Sequence, residues 1–399
     1  MKDPHQQRIL TMNRGSSTLK AALYNAGDGI DLLLSISVDL GGASGAHLRI
    51  TDAQGKALLD SSLDRGDSAA ALEIVFRWLD EHDFLSGLAA AGHRLVHGGA
   101  LFSEPARITP EFLSEIEQLV PLDPDHLPAA IEGIRFFAAK FPDIPQVACF
   151  DTAFHKTLPQ VARIYALPRR FYRQGIVRYG FHGLSYEYIM SELRALEGPL
   201  ANGRVIIAHL GSGASIAAVK NGKSVDTSMG FTPLEGLVMG TRCGDVDPGA
   251  LLFLLGQNKM SPKELDRALN KESGLLGLSG TSADVRQLIN NMAHDPRAAG
   301  ALDLFCYRVK KYIGAYAAAL GGVDVLVFAG GIGEHAPIVR EHICEGLDFL
   351  GIRLDAARNE SGDALISTSD SLVHVRVIKT DEDIMIARHV VSTLAWATL

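Results

Sequence analysis

With 399 residues, 47% of them hydrophobic and 21% charged, the chain is too long for one average domain and too apolar to be disordered, so two packed domains are expected. A net charge of −8 and a pI near 6.0 argue against nucleic acid or an anionic membrane as partner, and leave small anionic ligands open. The four cysteines (Cys149, Cys243, Cys306, Cys344) lack CxxC spacing, and no segment has the length of a signal or of an apolar span, so a soluble cytoplasmic protein is expected.

An apolar run at residues 8–12 stops at Asn13-Arg14-Gly15-Ser16-Ser17-Thr18 and resumes over 19–24, which predicts a hairpin opening a sheet. Alternating runs at 31–40 and 47–50 add two strands, and apolar residues at helical spacing over 68–80 predict a helix with Ser68 as its N-cap. Residues 88–96 read as a strand delivering His93, Arg94 and His97 to a glycine turn. The stretch 110–140 has helical period but is interrupted by Pro121, Pro124 and Pro128, each of which ends or redirects a helix. A buried strand at 146–150 runs into Asp151. The domain change is placed there: an N-terminal α/β domain over 1–150, joined by a C-terminal helix at 386–399, and a C-terminal α/β domain over 151–385.

In the second domain, Pro168 and the basic residues Arg163, Arg169, Arg170 and Arg173 lead to Arg178-Tyr179-Gly180-Phe181-His182-Gly183 and a helix over 185–196. An apolar strand at 205–208 breaks into Gly211-Ser212-Gly213, alternates over 214–219 and turns at Asn221-Gly222, a hairpin signal. Helices at 250–257, 261–270, 282–292 and 296–320 follow, the last stopped by Gly321-Gly322. A strand at 323–328 enters a glycine turn before a helix over 337–347, and a strand at 373–378 ends at Thr380-Asp381-Glu382-Asp383 and a terminal helix. Strand, glycine-polar turn and strand thus occur twice, from Arg8 and from Val205, which predicts two similar halves with their turns on one cleft.

Four turn clusters carry phosphate-type donors: residues 13–20, 209–215, 284–286 and 330–335. None has the GxxxxGK[ST] pattern of a P-loop. Arg94, His126, Asp151, His182 and Arg242 stand beside glycines, prolines or strand ends, and two arginines with two histidines suit phosphoryl transfer, where positioning and electrostatics lower the barrier. Taken singly, each His or Arg reads more readily as a surface or paired side chain, and Asp151 is also readable as the cap of a helix beginning at Ala153. Asn13 and Glu382, at strand ends, are the candidate hard-oxygen metal ligands.

Nine segments in order, NRGSSTLK (13–20), GHRLVHGG (92–99), FDTAFH (150–155), RYGFHGLS (178–185), HLGSGAS (209–215), DTSMGFTPLEG (226–236), MGTRCGDVDPG (239–249), GGIGEH (330–335) and TDED (380–383), resemble the acetate kinase family of short-chain carboxylate kinases. The resemblance implies an α/β fold of two duplicated domains, that of the actin, sugar-kinase and heat-shock ATPase superfamily, around a central nucleotide cleft. It also implies reversible transfer between ATP and acetate giving acetyl phosphate and ADP, Mg2+ (with Mn2+ as substitute), and a homodimer. By the same resemblance Arg94 and Arg242 hold the carboxylate and the moving phosphoryl, His182 stabilises the transition state, and Asp151 acts as base or orienter. Asn13 and Glu382 sit near the metal. Lys20, His209, Leu210, Gly211, Ser212 and Gly213 cradle phosphate, and Asp284, Val285, Arg286, Gly331, Ile332, Gly333, Glu334 and His335 line the nucleotide. Val96, His126, Phe181 and Pro233 form the acid's pocket. The acid is already ionised at neutral pH, with a free pKa of about 4 to 5, which favours orientation as the role of Asp151.

The chain departs from the family at Arg14, Thr18, Ser212, Cys243 and His335, and in PDHLP (124–128), where the family usually has PLHNP. Asp125 replaces an apolar residue of the methyl pocket. A carboxylate buried there would cost a few kcal/mol unless paired, so either Asp125 turns outward or the substrate is not plain acetate. A kinase for propionate or another acid, larger or hydroxylated, and a catalytically impaired ATP-binding protein of the same fold are the alternatives.

Overall fold

The structure, a computed structural model, describes residues 7–15, 18–40, 46–63 and 68–396. Ser16, Ser17 and the capping side chain expected at Ser68 lie outside the described residues. The chain forms two compact units, Met1–Ala153 with Asp381–Leu399, and Phe154–Thr380.

In the first unit β1 (Gln7–Arg14) pairs antiparallel with β2 (Thr18–Ala26), placing Asn13 opposite Lys20. β3 (Ile30–Asp39), β4 (Ala46–Asp52) and β5 (Ala57–Leu63) continue as a meander. On the other side of β1, β6 (Leu88–Leu95) runs parallel to it. The short β7 (Ala106–Arg107) closes the edge beside β8 (Gln146–Phe150), giving the order β5-β4-β3-β2-β1-β6-β8-β7. Sequence reading expected neither β5 nor β7. The first is an edge strand with no buried residue, and the second has two residues, too few to show a period.

The second unit holds β9 (Arg204–Leu210), β10 (Ala214–Lys220), β11 (Lys223–Thr227), β12 (Val325–Ala329) and β13 (His374–Val377), in the order β11-β10-β9-β12-β13. β10 is antiparallel to β9, while β12 and β13 run parallel. The segment β3-β2-β1-β6-β8 has this same order and the same directions. The repeat read from the sequence is therefore a repeat of topology. β8 and β12 are buried at every residue, the pattern of central strands covered on both faces.

Each unit has its own core: Ile36, Leu48, Phe76 and Phe137 among others in the first, and Ile189, Val205, Ile207 and Val327 in the second. The 110–140 stretch resolves into helices Pro110–Glu117 and Leu127–Lys140 with a 3-10 turn, Val120–Leu122, between them, each with a proline as its first or second residue, where a missing N–H costs nothing. The terminal helix Glu382–Thr393 lies on the first sheet. It comes so close that a Cβ on Gly92 would stand 2.4 Å from Ile386 and 2.8 Å from Val390, so only glycine allows this seat. That seat sets Glu382, the helix's first residue, beside the end of β1. No helix among the described residues is long and apolar enough to cross a membrane.

Candidate active site

In the first unit Arg94, near the end of β6, is the centre of a polar cluster. Its Nε and Nη2 donate to the two oxygens of Asp151 at 2.9 and 2.5 Å, and its Nη1 donates to Asn13 Oδ1 at 2.8 Å. Asn13 Nδ2 in turn donates to Glu382 Oε2 at 3.1 Å, which lies 3.8 Å from Arg94 Nε. Burial works against the guanidinium's charge, but Asp151 first and Glu382 next outweigh it and hold its pKa above the ordinary value. Three of the five N–H groups of Arg94 make these bonds, so its fork is fixed in direction. Nearby Asp383, which accepts from Thr11 Oγ1 at 3.3 Å, is pushed up to about 6, by burial and then by Glu382 and Asp381.

In the second unit His182 occupies the N-cap of helix Gly183–Glu197 with φ 57° and ψ 25°. Its Nδ1 lies 2.8 Å from Ser215 Oγ on β10, which Tyr186 also engages. The ring stacks on His209, at the end of β9, with centroids 4.4 Å apart. His209 Nδ1 meets Ser185 Oγ at 2.7 Å, and Thr380 Oγ1 donates to Ser185 Oγ at 2.7 Å. Behind the loop, buried His155 has its pKa lowered to about 4, chiefly by burial. A neutral ring there donates from Nε2 to the Phe181 carbonyl at 3.0 Å and accepts at Nδ1 from Ser224 Oγ at 2.8 Å. This anchors the backbone one residue before His182.

Gly213 marks where the second unit's donors converge: a Cβ there would lie 3.4 Å from His182 Nε2 and 3.9 Å from Arg242 Nη1. Arg242 Nη1 also donates to the Pro233 carbonyl at 3.3 Å. Imidazole and guanidinium thus reach one small region beside a glycine turn, an arrangement suited to phosphoryl oxygens. The turn is not a pure donor cradle as expected. The N–H of Gly211 closes on Gly213 O at 3.1 Å, and Ser212 O accepts from Gly240 N at 3.1 Å. Leu210, before it, is buried.

The remaining expected residues fall in several places. Gly331, Ile332, Gly333, Glu334 and His335 form a short helix, Gly330–His335, directly after β12, rather than a turn preceding a helix. Glu334 Oε1 accepts from the N–H groups of Gly330 (3.0 Å) and Thr380 (3.2 Å), so its carboxylate braces the backbone. His335 is exposed. Asp284 caps helix Val285–Asn291 and pairs with exposed Arg286 at 2.7 Å, while Val285 is buried. Lys20 is exposed on β2, and Val96 and Phe181 are buried. His126 pairs not with the Arg94 cluster but with Asp123, Nδ1 to Oδ1, at 2.7 Å. Asp125 is exposed, which answers the pocket question in favour of the outward orientation. Ser185, Ser215 and Thr380 stood inside the matched motifs without an assigned role, and Tyr186, Ser224 and Asp123 were missed, because hydroxyls and caps carry no periodic signal.

Among the described residues no three His, Cys, Asp or Glu side chains group to hold a metal ion. Asn13 and Glu382 are neighbours through Nδ2 and Oε2, with Asn13 Oδ1 accepting from Arg94; an amide and a carboxylate are hard-oxygen donors of the kind that suits magnesium, an ion that keeps most of its waters and leans on substrate phosphates.

The model of the Acetokinase family matches residues 8–388. An acetate kinase from Rhodopseudomonas palustris is 46% identical over 388 residues, covering 96% of this chain and 97% of that protein. The crystal structure of Porphyromonas gingivalis acetate kinase superposes with a TM-score of 0.87 at 41% identity, covering 97% of this chain and all of the other. That of a propionate kinase from Francisella tularensis gives 0.89 at 37% identity, with 96% and 98% covered. The two-sheet α/β architecture, the paired glycine turns and the Arg94 and His182 clusters thus coincide with a match along nearly the whole chain, and the chain belongs to the acetokinase family.

Proposed function

We propose that this chain transfers the γ-phosphoryl of ATP to acetate, giving acetyl phosphate and ADP, and runs the reaction in both directions. The observation that carries the reading is the fork of Arg94, fixed by Asp151 and Asn13 in the first unit, with His182 and Arg242 converging beside Gly213 in the second. One acetate oxygen forms a bond to the γ-phosphorus while the bond to the β–γ bridging oxygen breaks, and that oxygen leaves on ADP with the electron pair. Acetate is ionised at neutral pH and needs no base. Asp151 therefore orients Arg94, whose charge holds the carboxylate. His182 and Arg242 stabilise charge on the moving phosphoryl, with Ser215 fixing the His182 ring. The loops around Gly211 and Asp284 hold the nucleotide. Asn13 and Glu382 would hold magnesium, or manganese in its place, which would neutralise charge on the nucleotide phosphates.

Asp125 is exposed and so leaves the apolar character of the family's acid-binding motif in place, which supports acetate as the favoured acid over propionate. ³¹P NMR tests the reading: acetate with MgATP should build an acyl phosphate signal, and acetyl phosphate with MgADP should build ATP. Absence of both signals refutes it.

The protein works as a homodimer in the cytoplasm. Helix Pro248–Gly256, PGALLFLLG, has no buried residue, and Leu252 and Phe253 are 70% and 57% exposed, an apolar face suited to a second copy. Described cysteines are all free thiols, in keeping with a reducing compartment.

A further inference from the structure

The acid buried beside the acyl acceptor's histidine is not the one the sequence points to. Asp125 is exposed, whereas Asp123, two residues earlier, is 4% exposed and touches His126. The turn between them is closed by its own backbone: the carbonyl of Asp123 accepts from the N–H groups of His126 (3.4 Å) and Leu127 (3.2 Å), and Pro124 stiffens the link. His126 then stands at the N-cap of helix Leu127–Lys140 without capping it through its side chain. Backbone is thus fixed on both sides of the ring, and the 2.7 Å contact between Nδ1 and Asp123 Oδ1 removes the ring's remaining rotation.

This contact is a poor way to stabilise a fold. Asp123 Oδ2 is buried with no hydrogen-bond partner among the described residues, so half of the carboxylate is desolvated without compensation. Strain of this kind collects where geometry serves chemistry.

We propose that Asp123 is a positioning residue for the acid substrate: it clamps the His126 imidazole through Nδ1 and so presents Nε2 to a substrate oxygen. This rests on the reading of the chain as a carboxylate kinase with His126 at the acid. A proton on the Nδ1–Oδ1 contact is held between ring and carboxylate, and Nε2 is the edge left for recognition. Because Asp123 acts through His126, its loss weakens binding of the acid and leaves the nucleotide untouched.

The test uses the full chain and the variants Asp123→Ala, Asp123→Asn and His126→Ala. Asp123→Ala should raise the KM for acetate about tenfold, the worth of one charge-assisted hydrogen bond. The KM for MgATP should stay within about twofold and the Tm should not fall, since an uncompensated buried oxygen is removed. Asp123→Asn, which keeps an acceptor beside Nδ1, should give a smaller rise. In the His126→Ala background, Asp123→Ala should add nothing. An unchanged acetate KM, equal rises in both KM values with a lower Tm, or an additive double variant would each overturn the proposal. The ¹⁵N signal of His126 Nδ1 separates it from the wider reading. If the wild type makes no acyl phosphate, the kinase reading fails; an Nδ1 signal unchanged by Asp123→Ala defeats the clamp itself.

Discussion

Arg94 and Asp151 meet in a two-bond fork, 2.9 and 2.5 Å, with the Asp151 side chain only 1% exposed. Removing one partner strands the other. Arg94→Ala should abolish most turnover and cost about 3–5 kcal/mol of stability, because the buried Asp151 carboxylate loses its two-bond cationic partner. Arg94→Ala with Asp151→Ala should recover much of that stability and none of the turnover. Urea unfolding beside steady-state kinetics checks both halves; recovered turnover in the double variant would remove Arg94 from the chemistry.

Gly213 has room for a methyl group, at 3.4 Å from His182 Nε2, yet that methyl would occupy the space in which His182 and Arg242 converge. Gly213→Ala should therefore lower kcat by about 10-fold or more while the Tm shifts by only a few degrees, the signature of a lost transition-state contact. A variant with wild-type kcat would mean that the phosphoryl does not pass there.

Ser215 fixes the His182 ring through Nδ1 at 2.8 Å. Ser215→Ala should lower kcat about tenfold with little change in the KM for MgATP, as loss of a positioning hydrogen bond does. A rise in KM at constant kcat would instead assign Ser215 to nucleotide binding.

Much of the fold was legible because glycine, proline and alternation are local signals. Asn221-Gly222 turns with both residues at positive φ, and Pro110 and Pro296 open helices. The contacts that build the site are not local: Asn13 meets Glu382 across 369 residues, and Thr380 meets Ser185 across 195. Motif resemblance could name Asn13 and Glu382 with a role, whereas Ser185 and Ser215 lay in matched motifs but no period or spacing could reveal the rings they hold. Asp125 drew attention as an acid in an apolar motif; of the two readings left open the outward one holds, and the turn at Pro124 buries Asp123 instead.

His155, whose pKa is lowered to about 4 by burial, ties stability to pH. The unfolded chain takes up its proton near 6.5 and the native state does not until about 4, so this contribution is complete above 6.5 and is lost as pH falls through that window. His93, lowered to about 4 for the same reason, acts in the same direction, while Asp383, raised to about 6, opposes them. His155→Gln removes this contribution: between about pH 6.5 and about 4.5 the variant's stability should fall less steeply than the wild type's. Equal slopes by denaturant titration would show that His155 is not buried in its neutral form.

A second copy is expected on helix Pro248–Gly256. Leu252→Glu with Phe253→Glu should convert a dimer to a monomer by light scattering at micromolar concentration, since two charges on a desolvated face oppose association. A variant that stays dimeric would place the interface elsewhere.

Transfer of phosphoryl to the oxygen of a small carboxylate makes an acyl phosphate bond, and trapping with hydroxylamine reads that bond directly. With MgATP and acetate the wild type should give acetohydroxamate in an amount matching the ADP formed, and propionate should give less. No hydroxamate from formate, acetate, propionate or butyrate, under conditions where MgATP binds, would contradict the account.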